Sequence, residues 1–266
     1  MGMAKVMALH CGIVVLAIAN PLVRRAMTDE FRHRGAGEIL AVGDFRTLNE
    51  TVDQRAVDVL VVDDLLADSP TGPLIRDIRQ GVVHEHPFPL VLALAHQQTE
   101  AELRALIDCG PDAVVLTPVS IADLFTKVER LAAGRKPFVI TRDYVGPDRR
   151  TSLREGAQPP RYVDAPNPLA ATVDGGGFQE AIHQSAEALK TAKLEASLDQ
   201  LAYALKSGTA EAFKELIPAI NNLAKSTSKQ VLKDAALELS DTIKLQVFED
   251  IMRSSQKLLA AAQARA

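Results

Sequence analysis

Residues 56–72 read "AVDVLVVDDLLADSPTG". From Val57 to Val62 every residue except Asp58 is apolar, with valine dominant, so the run reads as a strand buried on both faces. Two aspartates, Asp63 and Asp64, follow at its carboxyl end. In an open parallel sheet, ligands and reacting groups gather in the crevice beyond the carboxyl ends of the strands. Successive strand side chains point to opposite faces, so Asp63 and Asp64 are expected to diverge, with Asp64 pointing elsewhere or lying over the top of the sheet.

The surrounding sequence repeats this pattern. Further strands are expected at 13–19, 38–42, 90–95 and 113–116, separated by helical stretches at 21–33, 46–54, 73–79, 99–109 and 121–133. Such alternation implies βαβ units and a parallel sheet. Gly35, Gly110 and Gly134 stand where helix ends favour a left-handed residue. The fold class expected is α/β, a doubly wound five-stranded parallel sheet of the flavodoxin-like kind, over residues 1–135.

Beyond it the composition changes. Residues 136–177 are rich in Pro, Gly and Arg and show no sustained period, which predicts an extended linker whose first residues, 138–144, pack back on the sheet domain. Residues 178–266 are expected to form an all-α domain. Leu194, Leu198, Leu201 and Leu205 mark one helix face, and Ser207-Gly208-Thr209 supplies a stop and a new cap. A second run holds Phe213, Leu216, Ile217, Ile220 and Leu223 with a kink at Pro218, and a capping box at Thr227 and Gln230 opens a long third helix through Leu258.

The 266 residues are 47% hydrophobic and 24% charged, with formal net charge −4 and pI near 5.9. That balance offers no overall attraction to nucleic acid or an anionic membrane, and neither is expected as a partner. From Phe178 onward there are 11 Lys and Arg against 11 Asp and Glu, without the positive excess of a DNA-reading helical domain. Cys11 and Cys109 fall in apparent core segments and form no disulfide framework, which fits a reducing cytoplasm. The apolar N-terminal run is interrupted by His10 and is short for a membrane span, so it reads as a first strand.

Several stretches in this order resemble the response-regulator receiver (CheY-like) family: "ANPLVRRAM" after the first strand, "VDVLVVDD" at the third, "DCGPDAVVLTPVSIADL" around the fifth, and Pro118 after it. The resemblance implies an acidic pair after strand one, a phosphate-accepting aspartate at strand three, a hydroxyl at strand four and a lysine before the proline. Asp63 matches the acceptor. Ile18 and Ala19, with Asn20 alongside, fall on the acidic pair, Leu94 on the hydroxyl and Thr117 on the lysine before Pro118, while Asp64 is the obvious substitute acid. The pocket is thus expected to be degenerate, with no cofactor. Magnesium enters only if Asp63 is an acceptor after all.

The same resemblance implies signalling through protein partners, a histidine kinase or another signalling protein. The expected surface is built by the fourth helix, fifth strand and fifth helix, with Glu102, Thr117, Val119, Ile121 and Phe125 as candidates. Leu198, Leu201 and Leu205 are candidates for a second surface, including a homodimer. "DYVGPDRR", 143–150, with "DAPNPL" resembles a tail of alphaproteobacterial receiver proteins. The expected protein is therefore a cytoplasmic, non-catalytic pseudo-receiver. The alternatives are a phosphoacceptor regulator with a helical output and a structural oligomerisation protein.

Other motifs read as bland. His84, Glu85 and His86 are expected in a solvated loop, His183 on a polar helix face, and the linker arginines Arg142, Arg149, Arg150, Arg154 and Arg161 in solvent. Gly175 to Gly177 read as a hinge, and no phosphate-binding glycine fingerprint is present.

Overall fold

The computed structural model describes residues 12–67, 69–83, 86–96, 99–141, 144–150, 160–170, 175–207, 220, 230–245 and 248–263. The chain divides into two compact units, 1–139 with 144–187, and 140–143 with 188–266.

The first unit is built on β1 (Ile13–Ala17), α1 (Pro21–His33), β2 (Glu38–Val42), α2 (Phe45–Gln54) and β3 (Val59–Asp63). A short hairpin follows, β4 (Leu65–Leu66) with β5 (Ser69–Pro70), then α3 (Gly72–Gln80), β6 (Leu90–His96), α4 (Glu100–Ile107), β7 (Ala113–Thr117) and α5 (Ile121–Ala133). The five long strands pair in the order β2-β1-β3-β6-β7, all parallel. This is the doubly wound sheet expected of the sequence.

Strand alternation sorts the core into two layers. Val14, Leu16, Val59, Val61, Leu92 and Leu94 meet Met27 and Phe31 of α1 and Leu124, Phe125 and Val128 of α5. Val15, Ala17, Leu60, Val62, Val91 and Ala93 meet Leu48 of α2, Leu74, Ile75 and Ile78 of α3 and Leu106 of α4. Helices on both faces explain why the strands read as unbroken apolar runs. Local caps fix the helix starts: Asn20 accepts from Leu22 N and Val23 N, Asp44 from Thr47 N, and Ser120 from Asp123 N.

Phe125 is buried completely, its ring 4.8 Å from that of Phe31 and 4.2 Å from the Arg34 guanidinium carbon. Its place among the surface candidates is therefore corrected: α5 turns it toward the sheet with Leu124 and Val128. His86 is also buried, its Nδ1 accepting from Phe88 N at 3.3 Å, rather than lying in a solvated loop. His84 and Glu85 lie outside the described residues.

The expected extended linker is corrected in part: its first residues, Phe138–Ile140, are packed in as expected, and further described residues of it are strand as well. β8 (Phe138–Ile140), β9 (Val145–Pro147) and β10 (Arg161–Val163) form a three-stranded sheet in the order β10-β8-β9. Phe138, Val139, Val145, Val163 and Leu169 are buried. Proline and glycine mark a tightly routed chain here, not a loose one. Gly110 shows the constraint: its φ is +87°, and a Cβ there would stand 2.5 Å from the Val145 carbonyl oxygen. Arg149 donates to the Pro111 carbonyl and Arg150 pairs with Asp148 at 3.2 Å, so neither is merely solvated. Arg142 and Arg154 lie outside the described residues.

The second unit contains the end of α6 (Gly175–Ser207), α7 (Gln230–Leu245) and α8 (Phe248–Gln263). α6 is described as far as Ser207, and Gly208 and Thr209 of the expected stop lie outside the described residues. The long third helix is corrected to two: α7 and α8 fold back antiparallel, bringing Lys257 Nζ within 2.7 Å of Glu238 Oε1. Leu201, Ile220, Ala236, Leu239, Ile251 and Leu258 form the buried cluster, with Leu194 packed against it. Leu198 is half-buried. The side chain of Leu205, the rest of the expected second helix and Thr227 lie outside the described residues. His183 is exposed on α6.

Candidate functional site

β3 ends on Asp63 between β1 and β6, which fixes the carboxylate at the mouth of the sheet. Thr71, fully buried, donates from its hydroxyl to the Asp63 carbonyl at 2.7 Å and anchors that backbone. Asp63 Oδ2 accepts from Ala19 N at 2.8 Å. Asp63 Oδ1 is buried and has no hydrogen-bond partner among the described residues. Burial pushes the Asp63 carboxyl above its ordinary pKa, against the pull of the Ala19 N–H and of His96.

The two aspartates diverge as strand alternation requires. Asp63 faces a cleft of about 560 Å³ whose apolar lining includes Ile18, Met27, Leu94, Ile121 and Leu124. Asp64 faces a smaller hollow of about 320 Å³ with Leu65, Arg76, Leu106 and Cys109. His96, the half-exposed last residue of β6, spans the ridge between them. Its backbone N–H donates to Asp64 Oδ2 at 3.1 Å, its Nδ1 lies 3.0 Å from Asp64 Oδ1, and its Nε2 lies 3.9 Å from Asp63 Oδ1. Reading the sequence alone missed His96, although its position six residues into an apolar strand marks it as a strand-end group.

The remaining expected positions surround the same cleft. Ile18 and Leu94 are buried, and Asn20 has its side-chain oxygen committed to the α1 cap. Thr117 donates to the Ala95 carbonyl at 3.1 Å, turning its hydroxyl toward the neighbouring strand, and the Thr117–Pro118 bond is cis. Arg24, also missed, uses its guanidinium on the Ile18 and Ala19 carbonyls. Val119 and Ile121 line the cleft and are half-buried, while Glu102 is exposed and closes a capping box with Thr99 at the start of α4.

Magnesium needs several oxygen ligands arranged octahedrally. Among the described residues Asp63 is the only carboxylate lining the cleft, Ile18 and Leu94 offer no oxygen ligand, and Asp64 is turned to His96. Among the described residues no three His, Cys, Asp or Glu side chains are grouped to hold a metal ion. The donor set does not fit a divalent cation. In the smaller hollow, burial pushes the Cys109 thiol up in pKa, and its sulfur lies 3.7 Å from Arg76 Nη2.

At the opposite, amino end of the sheet sits a different constellation that the sequence did not disclose. Asp112, before β7, accepts from Arg79 Nη2 at 2.8 Å, from Arg135 Nε at 2.8 Å and Nη2 at 3.0 Å, and from Val91 N at 2.8 Å. Arg79 also donates to the Gly110, Pro87 and Pro89 carbonyls, and Arg135 to those of Phe88, Pro89 and Pro166. Both guanidiniums stack on the Phe138 ring, at 4.9 and 5.0 Å. Burial lowers the Arg79 pKa to about 10, and although burial works against Asp112, the two guanidiniums bring its carboxyl below the ordinary range.

No family model matches the chain, and no curated protein does. Solved structures do. The receiver domain of a sensor histidine kinase from Pseudomonas aeruginosa PAO1 is 17% identical, with 45% of this chain and 96% of that chain covered at a TM-score of 0.39. A two-component response regulator of the LuxR family from Aurantimonas sp. SI85-9A1 is 21% identical, covering 47% and 87% at 0.40. A DNA-binding response regulator of the LuxR family from Staphylococcus aureus is 17% identical, covering 45% and 98% at 0.40. By its own strand order and its alternation of parallel strands and helices, the sheet domain of this chain has the fold of a response-regulator receiver.

Proposed function

We propose that the chain is a non-catalytic pseudo-receiver that acts through protein contacts in a two-component-type pathway, in a cytoplasm. One observation carries the reading: Asp63 holds the acceptor position, yet among the described residues it is the only carboxylate lining its cleft, and no lysine lines it. Phosphoryl transfer to an aspartate requires charge neutralisation by metal and cation, and Thr117 supplies only a hydroxyl, already bonded to Ala95. Among the described residues no helix is long and apolar enough to cross a membrane.

In this proposal 1–135 is the receiver-like domain, 136–177 links it to the helices, and 178–266 is a helical interaction domain. The protein partner is a histidine kinase or another signalling protein, and exposed Glu102 with half-buried Val119 and Ile121 contributes to its surface. Leu198 is half-buried and Tyr203 exposed on α6, which supports a role for the helices in a homodimer or in target docking. Loss of dimer mass on removing the residues after Gly177 would bear out that role. An unchanged mass would reject it.

Complementation decides between this and the second reading, a phosphoacceptor regulator, which the free Oδ1 of Asp63 favours. Asp63→Asn should restore the phenotype lost on deleting the gene. Failure of a folded Asp63→Asn chain to restore it would select the phosphoacceptor.

A further inference from the structure

We propose that the strand-end cleft is a binding site for a small organic ammonium, an N–H cation on an apolar body. Its volume, about 560 Å³, lies in the range of small-molecule sites. The walls are mainly apolar, with Ile18, Met27, Leu94, Ile121 and Leu124 among them. Such walls bind a hydrocarbon body by removing it from water.

The polar end is specified by Asp63, the one carboxylate among the described residues lining the cleft. Of the polar side chains lining the cleft, Asn20 accepts from Leu22 N and Val23 N, Thr117 donates to Ala95, and Ser120 donates to Asp123 Oδ2 at 2.7 Å. The His96 Nδ1 is held at Asp64, and its Nε2, at 3.9 Å, is beyond hydrogen-bond reach of Asp63. Asp63 Oδ1, buried and without a hydrogen-bond partner among the described residues, is the anchor, while Oδ2 is pinned by Ala19 N and fixes its direction. An unpaired carboxylate oxygen in a desolvated site is costly, and a ligand that donates to it recovers that cost. A charged N–H donor does so most strongly. Anions are disfavoured, because among the described residues no Lys or Arg lines the cleft and Arg24 is spent on backbone carbonyls.

This site does not rest on the signalling reading, since ligand binding and complementation are read separately. The test uses the intact chain, n-hexylammonium as probe and hexanoate as its charge-reversed match, followed by methyl NMR. Hexylammonium should shift the methyl signals of Ile18, Leu94, Ile121 and Leu124 saturably at millimolar concentration, and hexanoate should not. Asp63→Asn should weaken hexylammonium at least tenfold. Val23→Phe, which fills the cleft from a partly exposed helix position, should weaken it as much while leaving signals elsewhere unchanged. Equal binding of hexanoate, no saturable shift, or affinity unmoved by both substitutions would overturn the proposal.

Discussion

Asp63 and Asp112 are both buried aspartates of one parallel sheet, and they stand at its opposite ends. Asp112 receives two guanidiniums and a backbone N–H. Asp63 receives one backbone N–H, and its other oxygen has no hydrogen-bond partner among the described residues. Burial opposes the charge of both, but the surroundings bring the Asp112 pKa down and leave that of Asp63 raised. The amino end of the sheet is therefore built for stability, tying β8 and Pro166 to the core. The carboxyl end instead keeps a cleft at Asp63.

The largest effect should come from Asp112→Asn, which strands two guanidiniums in the interior. Breaking a buried pair on one side costs about 3 to 5 kcal/mol, measurable by denaturant unfolding. A loss below about 1 kcal/mol would mean that the cluster is no keystone. Phe138→Ala removes the ring beneath both guanidiniums, at a cost of about 3 kcal/mol, and should release β8 with a gain in amide exchange there.

Acidification should separate the two carboxylates by sign. The depressed pKa of Asp112 contributes stability above the unfolded carboxylate value, near 3.9, and that contribution is lost as pH falls through its folded value. The raised pKa of Asp63 favours the fold below that unfolded value, and this contribution is lost as pH rises through its folded value. Asp112→Asn should therefore flatten the acid limb of a stability–pH curve. Asp63→Asn should leave that limb in place and raise relative stability on the neutral side. The smallest expected change is the stability of Asp63→Asn at pH 7, within about 1 kcal/mol of the parent, since one backbone hydrogen bond is at stake and an unpaired charge is relieved.

Much of this architecture was legible. The five-stranded α/β fold follows from the spacing of apolar runs, because strands covered on both faces leave no polar alternation to confuse the reading. The divergence of Asp63 and Asp64 follows from a period of two. Less legible was whatever depends on residues distant in sequence: Arg79, Asp112 and Arg135 meet only once the sheet is assembled, and none has a local signature. Phe125 was misplaced for the same reason, since the resemblance located α5 but not the rotation that buries Phe125 against Phe31. The described residues between 136 and 170 misled through composition, proline and glycine serving a tight route past Gly110 at Val145 and Gly146 as well as they serve a loose tether. The break between α7 and α8 fell within a continuous helical pattern.

The central claim is that the carboxyl end of the sheet keeps the outline of a phosphoacceptor site without its reaction. Thermal unfolding of the intact chain with magnesium, with beryllofluoride and with both tests it most directly. The account predicts one unchanged melting temperature under all three conditions. A rise of several degrees that requires both ligands and disappears in Asp63→Asn would contradict it.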